Sequence, residues 1–236
     1  MQRFQIEGAP GALRLGQPET ILTGPGAGVY HNGGRIAFGP DGMLYVTVGD
    51  AGRATDAQDI ESMNGKILRL TPDGDVPEGN PFEGSYVYSF GHRNPQGLGW
   101  AEDGTMFSTE FGANSFDELN VIVPGGNYGW PEVEGMAGDP DYVDPVQRWE
   151  PAEASPSGMS VIGDLIVIAN LRGERLRAVP TSDPATATDH FTGDFGRVRD
   201  VVATPQGNLW LLTSNTDGRG EITAGDDRIL EVEVIP

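Results

Sequence analysis

Several short stretches of this chain carry side chains suited to chemistry. His31 stands before a glycine pair in HNGG. Arg93, Asn94 and Gln96 lie in SFGHRNPQGLGW, and Gly112, Ala113 and Asn114 in TEFGANSFDELN. Arg172 lies in NLRG, and Arg197 and Arg199 in GRVRD. An imidazole titrates near neutrality and serves as a general base. Guanidinium forks match carboxylates two bonds at a time. Three or four arginines brought to one place, in a chain of net charge −20, point to a small ligand with several negative charges and a histidine base beside it.

Taken singly, the same residues have plainer readings. His31 fits an ordinary strand-entry histidine, and Asn94-Pro95 fits a turn. Arg197 and Arg199 are spaced by two, which puts both on one side of a strand, where Asp194 or Asp200 would pair with them. Glu118 and Tyr128 fit a core carboxylate and a core aromatic. His92 is expected to pack or cap a turn, and His190 to lie at the surface or at a seam between sheets. The acids Asp139, Asp141 and Asp144 read as solvated loop.

The elements that position these residues repeat. RIAFGPDGMLYVTVGD reads as strand, Pro-Asp-Gly turn and strand, since Pro presets φ and Gly accepts a positive one. GLGWAEDGTMFSTEFG, GMSVIGDLIVIANLRG and RDVVATPQGNLWLLTSNT echo it. Behind each follows another candidate strand: KILRLTPDG, ELNVIVPGG, ERLRAVPT and RILEVEVI. Shorter ones precede some hairpins, as at TILTG and YVYSFG. Apart from one helical turn near Asp56 to Met63, helical periodicity is absent. Such repeats indicate an all-β propeller, whose sheets are apolar on both faces and stable only when stacked. Four blades are expected, and residues 1–236 read as one partial propeller domain. A β-sandwich would not explain the repeated unit. Active sites of propellers lie where the inner-strand loops meet, and the residues above fall in such loops.

Composition narrows the function. The chain has 35 acids against 15 bases, and Lys66 is its only lysine; such a surface repels phosphate backbones, so nucleic acid is not an expected partner. With no cysteine, disulfides, thiol catalysis and cysteine zinc sites are excluded. No apolar run approaches the roughly 18 residues a membrane span needs. The first residues do not read as a signal peptide.

Read together, HNGGRIAFGPDGMLYVTVGDAG, NGKILRL, FGHRNPQGL, NVIVPGGNYGWP and GRVRDVVATPQG resemble the soluble pyrroloquinoline-quinone (PQQ) sugar dehydrogenases, the glucose/sorbosone and aldose sugar dehydrogenase group. The resemblance runs in order from about residue 20 to the C-terminus. It implies a six-bladed propeller, PQQ-dependent oxidation of an aldose at C1 to the lactone, and the cofactors PQQ and Ca2+. It implies that His31 is the catalytic base, that Arg93 and Asn94 contact the quinone with Gln96 beside them, and that Arg172, Arg197 and Arg199 hold PQQ carboxylates. Gly112 and Ala113 would offer carbonyls to the calcium that binds PQQ, and Glu118 and Tyr128 would serve a second, structural calcium. Three positions depart from the pattern: Phe111 where glutamine is frequent, Tyr30 where an acid can precede the histidine, and Arg172 in place of lysine.

The same resemblance implies an aldose substrate, an external electron acceptor and a periplasmic or secreted location for the full-length protein, and leaves a homodimer open. Roughly two N-terminal blades have no counterpart here, so an inactive fragment is one alternative. A non-catalytic carbohydrate- or protein-binding propeller is another. A lactonase-type calcium propeller would line its channel with acids and asparagines instead of arginines.

Overall fold

The computed structural model describes residues 1–234 of the chain. It opens with a hairpin of β1 (Gln2–Glu7) and β2 (Arg14–Thr20). Four meandering antiparallel sheets follow. The first contains β3 (Ile36–Phe38), β4 (Leu44–Val48), β5 (Lys66–Leu70) and β6 (Val87–Phe90). The second contains β7 (Pro95–Trp100), β8 (Met106–Glu110), β9 (Asp117–Ile122) and β10 (Gln147–Trp149). The third contains β11 (Pro156–Ile162), β12 (Leu165–Asn170), β13 (Arg175–Pro180) and β14 (Thr188–His190). The fourth has three strands, β15 (Val198–Ala203), β16 (Leu209–Thr213) and β17 (Ile229–Val232). The only helical turn among the described residues is a 3-10 turn at Ala54–Ala57, at the start of the expected helical stretch.

The first strands of successive sheets stand side by side. β3 and β4 pack on β7, β7 and β8 on β11, and β11 and β12 on β15. Each sheet is apolar on both faces because alternate residues point to opposite sides. Along β4, Tyr45 faces the second sheet with Ile67, Leu98, Met106 and Tyr128. Leu44, Val46 and Val48 face the other way and pack with Leu22, Leu68, Leu70 and Val87. Phe107, Leu119, Met159, Ile166 and Ile168 fill the space between the second and third sheets. Val167, Leu176, Val201, Leu209 and Leu211 fill that between the third and fourth. Complete burial of each such side chain contributes roughly 1.5–3 kcal/mol.

The hairpin at 36–48 forms as the sequence predicts. Gly39 N–H donates to the Met43 carbonyl at 2.9 Å, Asp41 Oδ1 accepts from Met43 N–H at 3.1 Å, and Gly42 sits at φ 75°, which favours glycine. Other expectations are corrected. YVYSFG is not a lead-in to the second hairpin; Val87–Phe90 pairs with β5 as the outer strand of the first sheet. TILTG is not a strand, since β2 ends at Thr20. Ile235, at the end of the expected RILEVEVI strand, lies outside the described residues.

Lys66 is fully buried, and its ammonium donates to the carbonyls of Asp56, Ala57 and Asn64 at 2.7, 3.0 and 2.7 Å. The chain's one lysine thus anchors the 3-10 turn to the first residue of β5. Asn64 extends the anchor by donating from Nδ2 to the carbonyls of Gly26 and Gly49.

Candidate active site

In an antiparallel meander the start of the first strand and the end of the second lie at the same edge. His31, Arg93, Asn94 and Arg197 come shortly before β3, β7 and β15. Asp50, Gly112, Arg172 and Arg219 come shortly after β4, β8, β12 and β16. The loops that carry them therefore meet at one end of the sheet stack. His31, Arg93, Asn94, Gly112, Ala113, Arg172 and Arg197, with Tyr30, Phe111, Asp117 and Arg219, line one cavity of about 620 Å³.

His31 holds a left-handed backbone conformation, φ 57°, which costs a non-glycine residue of order 1–3 kcal/mol. The surroundings enforce it. Its carbonyl accepts from Ala51 N–H at 2.9 Å, and a Cβ on Gly49 would come within 2.1 Å of that carbonyl oxygen. Asp50 is buried beside the ring. Its Oδ1 lies 2.9 Å from His31 Nδ1 and accepts from Gly52 N–H at 2.7 Å, while Oδ2 accepts from Trp130 Nε1–H at 2.9 Å. A carboxylate that only accepts assigns the hydrogen to Nδ1 and leaves Nε2 as the free base. Asp50 closes the hairpin sequence RIAFGPDGMLYVTVGD, and its type alone does not mark it as the partner of His31.

Glu110 does for the second loop what Asp50 does for the first. Its Oε1 accepts from the backbone N–H of both Arg93 and Asn94, and its Oε2 lies 2.8 Å from His92 Nδ1. The fourth sheet repeats the device with Asn215, whose Oδ1 accepts from Arg197 N–H at 2.8 Å. A polar residue at the end of a second strand thus ties down the loop ahead of a first strand in three sheets. This recurring position is the signal by which sequence reasoning could have found Asp50 and Glu110.

The Arg93 side chain lies with its Cζ 5.3 Å from the Trp130 ring centroid. Its Nη1 donates to the carbonyls of Phe111 and Gly112, and its Nε has no partner among the described residues. Burial draws this guanidinium below its ordinary pKa, against the opposing pull of Asp50 and Glu110. Asn94 Oδ1 accepts from Gly33 N–H at 3.0 Å and from Gln96 Nε2 at 3.1 Å. Gln96 is therefore a support behind Asn94 and not part of the cavity wall. Arg197 is buried, pairs with Asp217 at 3.0 Å, and keeps a buried Nε without a partner among the described residues.

Arg199 departs from the reading that it and Arg197 share one face. Arg197 precedes β15, and the register shifts between Val198 and Asp200, so simple alternation fails. Arg199 is not on the cavity wall; burial and its neighbour Arg35 draw its pKa down. Asp200, one expected partner of these arginines, pairs with Arg35 at 2.7 Å. Asp117, which the sequence reading passed over, is pushed by burial up to about 6.

Glu118 and Tyr128 are spent on protein partners. Glu118 accepts from Gly135 N–H at 2.8 Å and Asn120 Nδ2 at 3.1 Å, and burial beside Glu110 pushes it up to about 7. Tyr128 donates to the Val121 carbonyl at 2.6 Å, accepts from Val123 N–H at 3.0 Å, and stacks on His92 at 4.5 Å. Among the described residues no group of three or more His, Asp or Glu is arranged to hold a metal ion. The oxygens suited to a cation at the cavity are instead backbone carbonyls, and those of Phe111 and Gly112 already face the cationic Arg93 head. His190 is exposed on β14.

Stacked antiparallel meanders with their loops gathered over one arginine-rich cavity define an all-β fold of the propeller type. A family model described as Glucose / Sorbosone dehydrogenase matches residues 3–224, and the chain belongs to that family. It is 40% identical over 151 residues to quinoprotein glucose dehydrogenase B of Acinetobacter calcoaceticus, a match covering 55% of this chain and 32% of that protein. It is 30% identical over 230 residues to the aldose sugar dehydrogenase YliI of Escherichia coli, covering 80% of this chain and 58% of that protein. The chain thus spans less than two thirds of the length of these curated relatives. Among solved structures, the PQQ-bound form of aldose sugar dehydrogenase from Streptomyces coelicolor superposes with a TM-score of 0.89 at 52% identity, covering 93% of this chain and 67% of that one.

Proposed function

We propose that this chain carries the catalytic loops of a PQQ- and calcium-dependent dehydrogenase that oxidises aldose sugars at C1. The observation that carries the reading is a single cavity walled both by His31, backed by Asp50, and by Arg93 and Arg197, each with a buried Nε lacking a partner among the described residues. A buried donor without an acceptor is costly, of order 1–3 kcal/mol. Two of them beside one hollow fit a ligand rich in carboxylates, as PQQ is. The PQQ-bound Streptomyces relative supports the same assignment. Four arginines on the wall, Arg93, Arg172, Arg197 and Arg219, favour this reading over a lactonase-type propeller.

When bound, PQQ supplies the acceptor for the C1 hydride and calcium the Lewis acid that polarises it, so the sugar leaves as its lactone and an external acceptor restores the quinone. This chain's residues bind, orient and move a proton. His31 Nε2 takes the proton of the C1 hydroxyl, and Asp50 holds the ring in the correct tautomer and stabilises the imidazolium. Arg93 and Asn94, fixed from behind by Glu110 and Gln96, hold the quinone side. Arg172 and Arg197 bind carboxylates, and Arg199 adds positive charge behind Arg197. The carbonyls of Gly112 and Ala113 would hold the calcium, a hard cation that takes oxygen ligands. A periplasmic or secreted setting fits the acid-rich chain.

The test is to titrate the purified protein with PQQ and Ca2+, then add aldoses and a dye acceptor. Sugar-dependent dye reduction that requires both cofactors is expected. Tight PQQ binding with no oxidation of any aldose would favour the non-catalytic alternative.

A further inference from the structure

The turn from Gly112 to Phe116 sorts its backbone polarity. Its five consecutive N–H groups all point to carboxylates. Gly112 N–H donates to Asp117 Oδ1 at 2.9 Å. Those of Ala113, Asn114, Ser115 and Phe116 all donate to one oxygen, Glu134 Oε1, at 2.6, 3.0, 3.0 and 3.2 Å. Successive backbone donors curled around one anion form a nest; here the anion is a side chain of the protein itself. The opposite side of the same segment offers acceptors, since the Phe111 and Gly112 carbonyls face Arg93 at the cavity.

Glu134 is itself held in place. The next residue, Gly135, donates its N–H to the buried Glu118 at 2.8 Å, and a Cβ there would come within 2.8 Å of the Phe116 ring. Gly112 is equally constrained, because a Cβ on it would fall 1.7 Å from the Phe116 carbonyl oxygen. The turn is closed upon itself around the anion at its centre.

We infer that Glu134 is a positioning residue: by gathering four N–H groups on the far side of the turn, it holds the turn with the Phe111 and Gly112 carbonyls toward the cavity. The consequence for a cation there rests on the function proposed above; the consequence for the turn does not. The sequence alone does not mark Glu134, which lies about twenty residues from the turn among many acids.

The experiment uses the full chain as parent, E134A and E134Q. Amide hydrogen exchange is read first without cofactor. Residues 113–116 should exchange about tenfold faster or more in E134A, the scale of one lost charge-assisted hydrogen bond, while amides of β8 and β9 stay protected. E134Q keeps one carbonyl oxygen for the nest and should fall between. Ca2+ alone, then Ca2+ with PQQ, is next titrated by calorimetry, and affinity should weaken in the same order. Unchanged exchange at 113–116 in E134A overturns the inference. So does faster exchange there with unaltered Ca2+ and PQQ affinity. If E134A loses protection in every sheet, E134Q decides: native exchange and native affinity in E134Q would also overturn it. A parent that binds neither Ca2+ nor PQQ would refute the proposed function, while the exchange result would still show whether Glu134 shapes the turn.

Discussion

Two histidine–carboxylate pairs stand one sheet apart, and they differ in what the second ring nitrogen does. His31 Nδ1 lies 2.9 Å from Asp50, and His92 Nδ1 lies 2.8 Å from Glu110. Both carboxylates are buried, and both follow or end the second strand of a sheet. His92, however, is fully buried, its Nε2 is bonded to Ser89 Oγ at 2.8 Å, and its ring is stacked on Tyr128. His31 lines the cavity, and its Nε2 has no hydrogen bond among the described residues. Under the proposed function the same pair serves proton transfer in one loop, while in the other it is buried within the architecture. The pairing alone does not make a base; an open nitrogen does.

The largest effect should come from His31→Ala, which removes the proposed base. Steady-state sugar oxidation should fall about 100- to 10,000-fold, the range of general-base catalysis, with PQQ affinity retained. Next is Asp50→Asn. It keeps the shape but can reverse the ring's tautomer, and kcat should fall about 100-fold or more with KM nearly unchanged; a kcat within twofold of the parent would separate Asp50 from catalysis. His92→Ala should do the opposite. Chemical denaturation should show a loss of about 3 kcal/mol, the scale for stranding one partner of a buried pair, while kcat per folded molecule stays within a few fold. A collapse of kcat without loss of stability would erase the contrast between the two pairs.

A smaller effect concerns Lys66, whose burial lowers its pKa to about 8. A base depressed in the folded state binds fewer protons there than in the unfolded chain between that value and its ordinary 10.5. Its contribution to stability should therefore rise with pH across that window, and the cost of burying the charge is present in full below it. Urea midpoints of the parent minus those of Lys66→Met, measured from pH 7 to 10, should grow with pH. A difference that shrinks as pH rises would contradict this account of Lys66.

Much of the fold is legible where local chemistry and apolar pattern agree. The Pro40-Asp41-Gly42 turn sits between runs that alternate correctly, so the 36–48 hairpin is readable to the residue. β2 is hidden because Gly16 and Pro18 weaken a strand pattern, and Pro18 is accommodated opposite Phe4 at the edge. β10 and β14 have three residues each, too few for any period to register. At the site, the residues with distinctive types were readable: His31, Arg93, Asn94, Arg172 and Arg197 share the cavity. The supports were not. Asp50 and Glu110 stand out among the chain's 35 acids only through their recurring place at or just after the end of a second strand, and Glu134 shares no such position. The register shift ahead of Asp200 likewise leaves no local mark, so the spacing of two puts Arg199 on the same side as Arg197 although it does not line the cavity.

His31, alone of the two paired histidines, is proposed to move the substrate proton. The most direct test is a single turnover: parent and His31→Ala are each loaded with PQQ and Ca2+, mixed with excess aldose without external acceptor, and followed by the absorbance of the bound quinone. Rapid reduction is expected in the parent and a bound, persistently oxidised quinone in the variant. Reduction at the parental rate in His31→Ala would contradict the proposal.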